Sequence, residues 1–149
     1  MKLLQKIEAG AFDASLRTLY GTADHARVTR IAEAFAARFP AHAEEAALFS
    51  APGRTEIGGN HTDHQHGRVL CGSVDLDMLA CAAPNGENVI RIFSEGYGET
   101  CVMLDELKPV EAEKDTTAAL VRGVAAGVAA LGHAVSGFDA YVHSAVLAG

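Results

Sequence analysis

Val69 to Ala82 reads as one long strand. Val74, Leu76 and Met78 alternate with Asp75 and Asp77, the period of an extended chain with two unlike faces. A strand of that length cannot stand alone in water. It demands partner strands and a layer packed on at least one face. The turn Pro84-Asn85-Gly86 follows, and Asn-Gly is the strongest short hairpin signal, because both residues tolerate positive φ. Val89–Ser94 and Thr100–Leu104 are expected strands, and Leu48-Phe49-Ser50-Ala51 starts an earlier one that runs into Pro52-Gly53.

Helices bracket these strands. Asp13–Tyr20 reads as a short helix ended by Gly21. Thr22 or Asp24 is positioned to cap a second helix, with Val28, Ile31, Phe35 and Phe39 at three- and four-residue spacing and Pro40 past its end. Ala41–Ala47 adds a further turn. Asp115 or Thr116 caps a helix over Thr117–Leu131, ended by Gly132, and Phe138–Ser144 is a last strand. Helices, a strand meander, a helix and a strand make the fold class α+β. With 149 residues the chain fits one domain. The charged stretch Lys108–Lys114 is expected to be solvated loop.

Composition excludes several classes of function. The net charge is −7 and no basic run occurs, which argues against a nucleic-acid partner. No apolar run approaches the roughly 20 residues of a membrane span. The first ten residues lack the apolar core of a signal peptide, so a cytoplasmic setting is the expectation. Cys71, Cys81 and Cys101 form no C-x-x-C pair and suggest neither disulfide framework nor thiolate zinc site. Cys71 and Cys81 sit in apolar runs and read as small buried hydrophobes.

The chemistry is concentrated between Ala51 and Leu70. Arg54, Glu56, Asn60, His61, Asp63, His64, His66 and Arg68 crowd together with Gly58, Gly59 and Gly67. Ile57–Gly67 reads as a loop whose glycines let the backbone turn and approach a ligand closely. Carboxylate, amide and imidazole side by side supply mixed donors and acceptors, which suits a polyhydroxylated ligand. A permanently charged Arg suits phosphate or developing negative charge. A metal site is the rival reading. His61-x-Asp63-His64 is the second half of an H-x-H-x-D-H zinc pattern, but the first His would fall on Gly59, and His133 and His143 are isolated. The balance favours no metal. A purely structural polar loop ranks below a binding site, given so many polar groups among glycines.

The same segment resembles the galactokinase signature, Gly-Arg-x-Asn-Leu-Ile-Gly-Glu-His-x-Asp-Tyr-x-x-Gly-x-Val-Leu. It shares Gly53, Arg54, Gly59, His61, Asp63, Gly67, Val69 and Leu70. Val74-Asp75-Leu76, the helix piece Val121-Arg122-Gly123-Val124 and the strand Gly137-Phe138-Asp139 agree in order. The resemblance covers nearly the whole chain, more loosely before Phe49. It implies the N-terminal, sugar-binding domain of a galactokinase, with the fold of the second domain of ribosomal protein S5, in a superfamily that includes homoserine and mevalonate kinases. It further implies transfer of the ATP γ-phosphate to the anomeric hydroxyl of galactose. Arg54 would then sit by that hydroxyl as the catalytic residue of this segment, and Arg54, Asn60, His61 and Asp63 would bind substrate.

Among the departures from the family, Asn60 replaces its Glu, Glu56 its Asn and His64 its Tyr. Asn60 can donate as well as accept, and would not repel an acidic or N-acetylated sugar, so N-acetylgalactosamine, galacturonate and arabinose stand as alternative substrates. ATP and Mg²⁺ are the implied cofactors of the parent, but the family's phosphate-binding loop, catalytic Asp and Mg²⁺ ligands fall beyond Gly149. The expectation is therefore a chain inactive as a kinase by itself, whose partners are a small-molecule sugar and the missing C-terminal part, with self-association of the exposed piece. A non-enzymatic sugar-sensing module is the alternative class.

Overall fold

The structure is a computed structural model and describes residues 2–59 and 66–146. Helix α1 (Lys2–Glu8) is an addition to the expected elements. Leu3 and Ile7, one turn apart, are both buried and hold it against the third helix, a pairing too short to show as periodicity. Helix α2 (Asp13–Tyr20) stops at Gly21, which has φ 74° and returns its N–H to the Arg17 carbonyl. Helix α3 (Ala26–Arg38) begins where Asp24 Oδ1 accepts from the Ala26 N–H at 2.9 Å. Val28, Ile31, Phe35 and Phe39 are buried, as their spacing predicts. A 3₁₀ turn over Pro40–Glu45 leads into the sheet.

The strands are β1 (Ala47–Gly58), β2 (Leu70–Pro84), β3 (Val89–Ser94), β4 (Gly98–Met103) and, after α4 (Thr117–Ala130), β5 (Phe138–Ser144). Their order is β1-β2-β5-β3-β4, antiparallel throughout except for the parallel pair β3/β5. The mixed sheet with helices bears out the α+β class. Leu79, Cys81 and Ala83 of β2 face α1–α3 and complete the main core. Val102 and Ile90 pair across β3 and β4 on the opposite face, where α4 packs against β4 and buries Ala125. Thr116 caps α4 by accepting from the Ala119 N–H.

Several expectations are refined or corrected. The alternation in β2 is real, and the face that carries Asp77 is the inner one. Asp77 points into the helix layer while Leu76 and Met78 are exposed, because Asp77 finds three hydrogen-bond donors there. Asn85-Gly86 turns the chain but makes no hairpin, since β5 lies between β2 and β3. The Asn85 amide instead donates to Asp139 Oδ1 at 2.9 Å and to the Val89 carbonyl at 3.0 Å. Arg91 Nε also donates to Asp139 Oδ1, at 2.8 Å, so the buried Asp139 pins the entry of β5. Cys71 is exposed, unlike the buried Cys81, because it lies where β1 and β2 outrun the rest of the sheet. The Lys108–Lys114 stretch is more than solvated loop. Its Glu113 carboxylate takes two hydrogen bonds from the buried Arg122 of α4, at 2.6 and 2.7 Å, and Arg122 also donates to the Met103 and Glu106 carbonyls.

Candidate functional site

The Gly- and His-rich segment is carried on a two-stranded ribbon. β5 pairs with β2 only between Met78 and Pro84, whereas β1 follows β2 out to Gly58 opposite Leu70. Ile57 and Gly58, expected in the loop, are thus strand. Arg54 sits opposite Ser73 on this ribbon and is exposed. Just before it the register is irregular, between Pro52 and Arg54, and Gly53 fills that place for a steric reason. A Cβ on Gly53 would stand 2.9 and 3.0 Å from the methyl groups of Val146 and 3.0 Å from a methyl of Val74.

The neck of the loop is equally tight. Gly59 has φ 114°, and a Cβ there would lie 2.6 Å from the Arg68 carbonyl oxygen and 2.7 Å from Val69 Cα. The two ends of the segment therefore meet backbone to backbone, an approach that only glycine allows. His66, on the returning side, takes the left-handed conformation with φ 61°. Asn60, His61 and Asp63, three of the four expected sugar contacts, lie outside the described residues, as does His64. The structure thus places Arg54 on the two-stranded arm and brings Gly59 and Arg68-Val69 together across the neck. Among the described residues no His, Cys, Asp and Glu cluster is arranged to hold a metal ion.

Sequence reasoning missed a polar cluster beneath the base of this ribbon. Asp77 Oδ2 accepts from Tyr20 Oη at 2.6 Å and Ser50 Oγ at 2.5 Å, and its Oδ1 accepts from Arg27 Nη1 at 2.5 Å. Burial alone would raise the Asp77 carboxyl, but these hydrogen bonds and the Arg27 charge outweigh it and hold the group below the ordinary carboxylate range. Tyr20 moves the opposite way: burial, then its bond to the Asp77 carboxylate, raises its phenol. Arg27 Nη2 reaches the Asp77 carbonyl and lies 3.4 Å from His143 Nδ1 on β5. The Ala145 N–H donates to that same carbonyl at 2.9 Å. Asp77 so fixes the exit of β5, and the next residue, Val146, packs on Gly53 beside Arg54. No local signal marks Asp77 as buried, since the alternation of β2 does not say which of its faces meets the core.

Comparison with known proteins finds galactokinases. A family model described as the galactokinase galactose-binding signature matches residues 33–84, which enclose the ribbon and its loop. The galactokinase of Streptococcus mutans is 30% identical over 103 residues, 66% of this chain and 26% of that protein. The galactokinase of Chloroflexus aurantiacus is 31% identical over 99 residues, 66% of this chain and 25% of that protein. By signature and sequence the chain matches the N-terminal part of galactokinases. The fold agrees. Lactococcus lactis galactokinase, solved in complex with galactose, superposes with a TM-score of 0.68 at 23% identity, over 80% of this chain and 31% of that one. Methanococcus jannaschii mevalonate kinase gives 0.52 at 14% identity, over 69% of this chain and 33% of that one. The chain spans about a quarter of the length of the galactokinases it matches. Among the described residues no helix is long and apolar enough to cross a membrane.

Proposed function

We propose that residues 1–149 form the N-terminal sugar-binding domain of a galactokinase, whose parent protein transfers the ATP γ-phosphate to the anomeric hydroxyl of galactose. The observation that carries this reading is the galactose-binding signature over residues 33–84. In this reading Asp63, with Asn60 and His61, anchors the sugar hydroxyls, because an ionised carboxylate accepts from two neighbouring hydroxyls at once. Arg54 acts on the transition state. Its guanidinium interacts most strongly when the transferring phosphoryl group spreads charge toward the acceptor oxygen. The close approaches at Gly53 and Gly59 on either side of Arg54 support that role, since positioning accounts for much of phosphoryl-transfer catalysis. ATP and Mg²⁺ belong to the proposal for the parent, with their main binding groups outside this chain, as does a cytoplasmic setting.

Steady-state kinetics of the parent enzyme test the assignment. Asp63→Asn is expected to raise the Michaelis constant for galactose by an amount equivalent to about 1.5–3 kcal/mol, the worth of a charged hydrogen-bonding partner. Arg54→Ala is expected to lower turnover more than affinity. An unchanged Michaelis constant in the first and an unchanged turnover in the second would show that the loop is merely structural.

A further inference from the structure

Space, and not backbone conformation, keeps a side chain off Gly53. Its φ lies outside the left-handed region, so another residue could adopt it. A Cβ there would nevertheless meet both methyl groups of Val146, at 2.9 and 3.0 Å, and a Val74 methyl at 3.0 Å. The ladder is irregular at the same point. Between the pairs Pro52/Asp77 and Arg54/Ser73, the single residue Gly53 of β1 stands opposite Val74, Asp75 and Leu76 of β2. Extra residues in one strand of an antiparallel pair make a bulge, a device that re-aims side chains beside active sites. Arg54 is the first residue of β1 to be paired again beyond it. By strand alternation Gly53 and Arg54 point to opposite faces, so Val146 meets the arm from the face away from Arg54.

Val146 is itself held in place. Its N–H donates to Ser144 Oγ at 3.2 Å, and the same hydroxyl donates to the Val146 carbonyl at 3.1 Å. The Ala145 N–H between them donates to the Asp77 carbonyl at 2.9 Å. Val146 thus reaches from the end of β5 past β2, the strand between them, to β1. A turn that merely ends a strand has no need to reach that far. We infer that Val146, locked by the Ser144 hydroxyl, is a positioning residue for Arg54: it fills the notch at Gly53, fixes the bulge and so sets where the guanidinium points. The inference rests on the proposed function above for the reaction that Arg54 serves. Val146 acts on the backbone of the arm, so its loss is felt in the aim of Arg54 and hence in turnover, the quantity that the guanidinium controls in that reading.

The test combines this chain with its parent enzyme. In 1–149, Val146→Ala is expected to shift the amide resonances of Gly53, Arg54 and Thr55 and to lower the heteronuclear NOE of the Arg54 amide, with α3 resonances in place. Ser144→Ala, at an exposed position, should do the same more weakly. Gly53→Ala should disturb the Arg54 amide strongly by itself and less in a Val146→Ala background, because the methyl groups it meets there are gone. In the parent, Val146→Ala is expected to lower turnover at least about tenfold while changing the Michaelis constant for galactose less than about twofold, since a misplacement of about 1 Å can cost about a hundredfold in rate. Val146→Ile, which keeps both branches at Cβ, should retain most of the turnover. Unchanged Arg54 signals in Val146→Ala would overturn the inference. So would strictly additive effects of Gly53→Ala and Val146→Ala, or a lower melting temperature with turnover intact. A wild-type parent without galactose-dependent ADP release would count against the sugar-kinase reading instead, and the Arg54 signals of 1–149 would still decide the positioning role.

Discussion

Replacing Asp77 by Asn removes one negative charge and keeps the side-chain shape, at the point where α2, α3, β1 and the end of β5 converge. Three donors converge on the carboxylate at 2.5–2.6 Å: Tyr20, Ser50 and Arg27. The amide retains one accepting oxygen, so Arg27 keeps a neutral partner at best and one or both hydroxyls must turn to accept. Arg27 is about a quarter exposed, which lets water absorb part of the loss. The net cost is therefore about 2–3 kcal/mol, below the full penalty of a severed buried pair. Against a typical total of about 5–15 kcal/mol that is a large share. At about 2–4 °C per kcal/mol for a chain of this size, the melting temperature should fall by about 4–12 °C at pH 7. The pH dependence separates this cause from a packing defect. Asp77 titrates lower folded than unfolded, so its contribution is complete above the ordinary carboxylate value near 3.9 and is lost as pH falls through the lower folded value. Thermal melts followed by circular dichroism should thus show a constant gap between wild type and Asp77→Asn from pH 7 to about pH 5, narrowing toward pH 3. A gap below about 2 °C at pH 7, or one that stays constant down to pH 3, would refute the electrostatic account.

Gly59→Ala should strain the neck of the loop by about 1–3 kcal/mol, because φ 114° suits glycine alone and the new methyl meets backbone atoms that cannot rotate away. In amide NMR spectra the change should be concentrated at Gly58, Arg68 and Val69, with α3 resonances in place; a uniform shift across α3, or no shift at the neck, would contradict it. Thiol titration of native protein near pH 8 should modify Cys71 first and Cys101 more slowly, since burial and then Glu99 raise the Cys101 thiol. Cys81, buried and pushed up to about 12, should react only on unfolding, and prompt modification of all three cysteines would disprove its placement.

Helices α2, α3 and α4 were legible because their signals are local. Gly21 ends α2, the Val28–Phe39 spacing marks the buried stripe of α3, and Thr116 caps α4, all within a turn or two of chain. The strands were legible in position but not in partnership. The Asn85-Gly86 signal describes a turn and carries no information about a strand that arrives some fifty residues later. What threads β5 between β2 and β3 is the buried Asp139 with Asn85 and Arg91, together with Gly137, where a side chain would meet the Glu87 and Val89 carbonyls. These are long-range contacts with no periodicity. Within the site, the signature residues were legible as a dense polar segment and, more sharply, through the galactokinase pattern. The polar cluster under the ribbon was not, because an acidic residue in an alternating strand is read as solvent-facing unless its partners on α2, α3 and β1 are known.

That cluster gives the signature segment a mechanical footing. Among the described residues, Arg54 lies where β1 pairs with β2 and β5 no longer flanks them, so its aim depends on the footing at the base of the pair. The Asp77 carbonyl accepts the Ala145 N–H and so sets where β5 ends. Val146 follows, and its two methyl groups rest where a Cβ of Gly53 would be. Gly53 is the residue before Arg54 and lies at the register irregularity between Pro52 and Arg54. A side chain at 53 would displace Val146. The glycine that opens the signature thus has a steric cause, distinct from any contact with ligand: it lets the exit of β5 brace the base of the arm that carries the guanidinium. Gly59 closes the other end by the same logic: a Cβ there would meet the Arg68 carbonyl oxygen and Val69 Cα, so only glycine lets the two sides of the segment approach so closely.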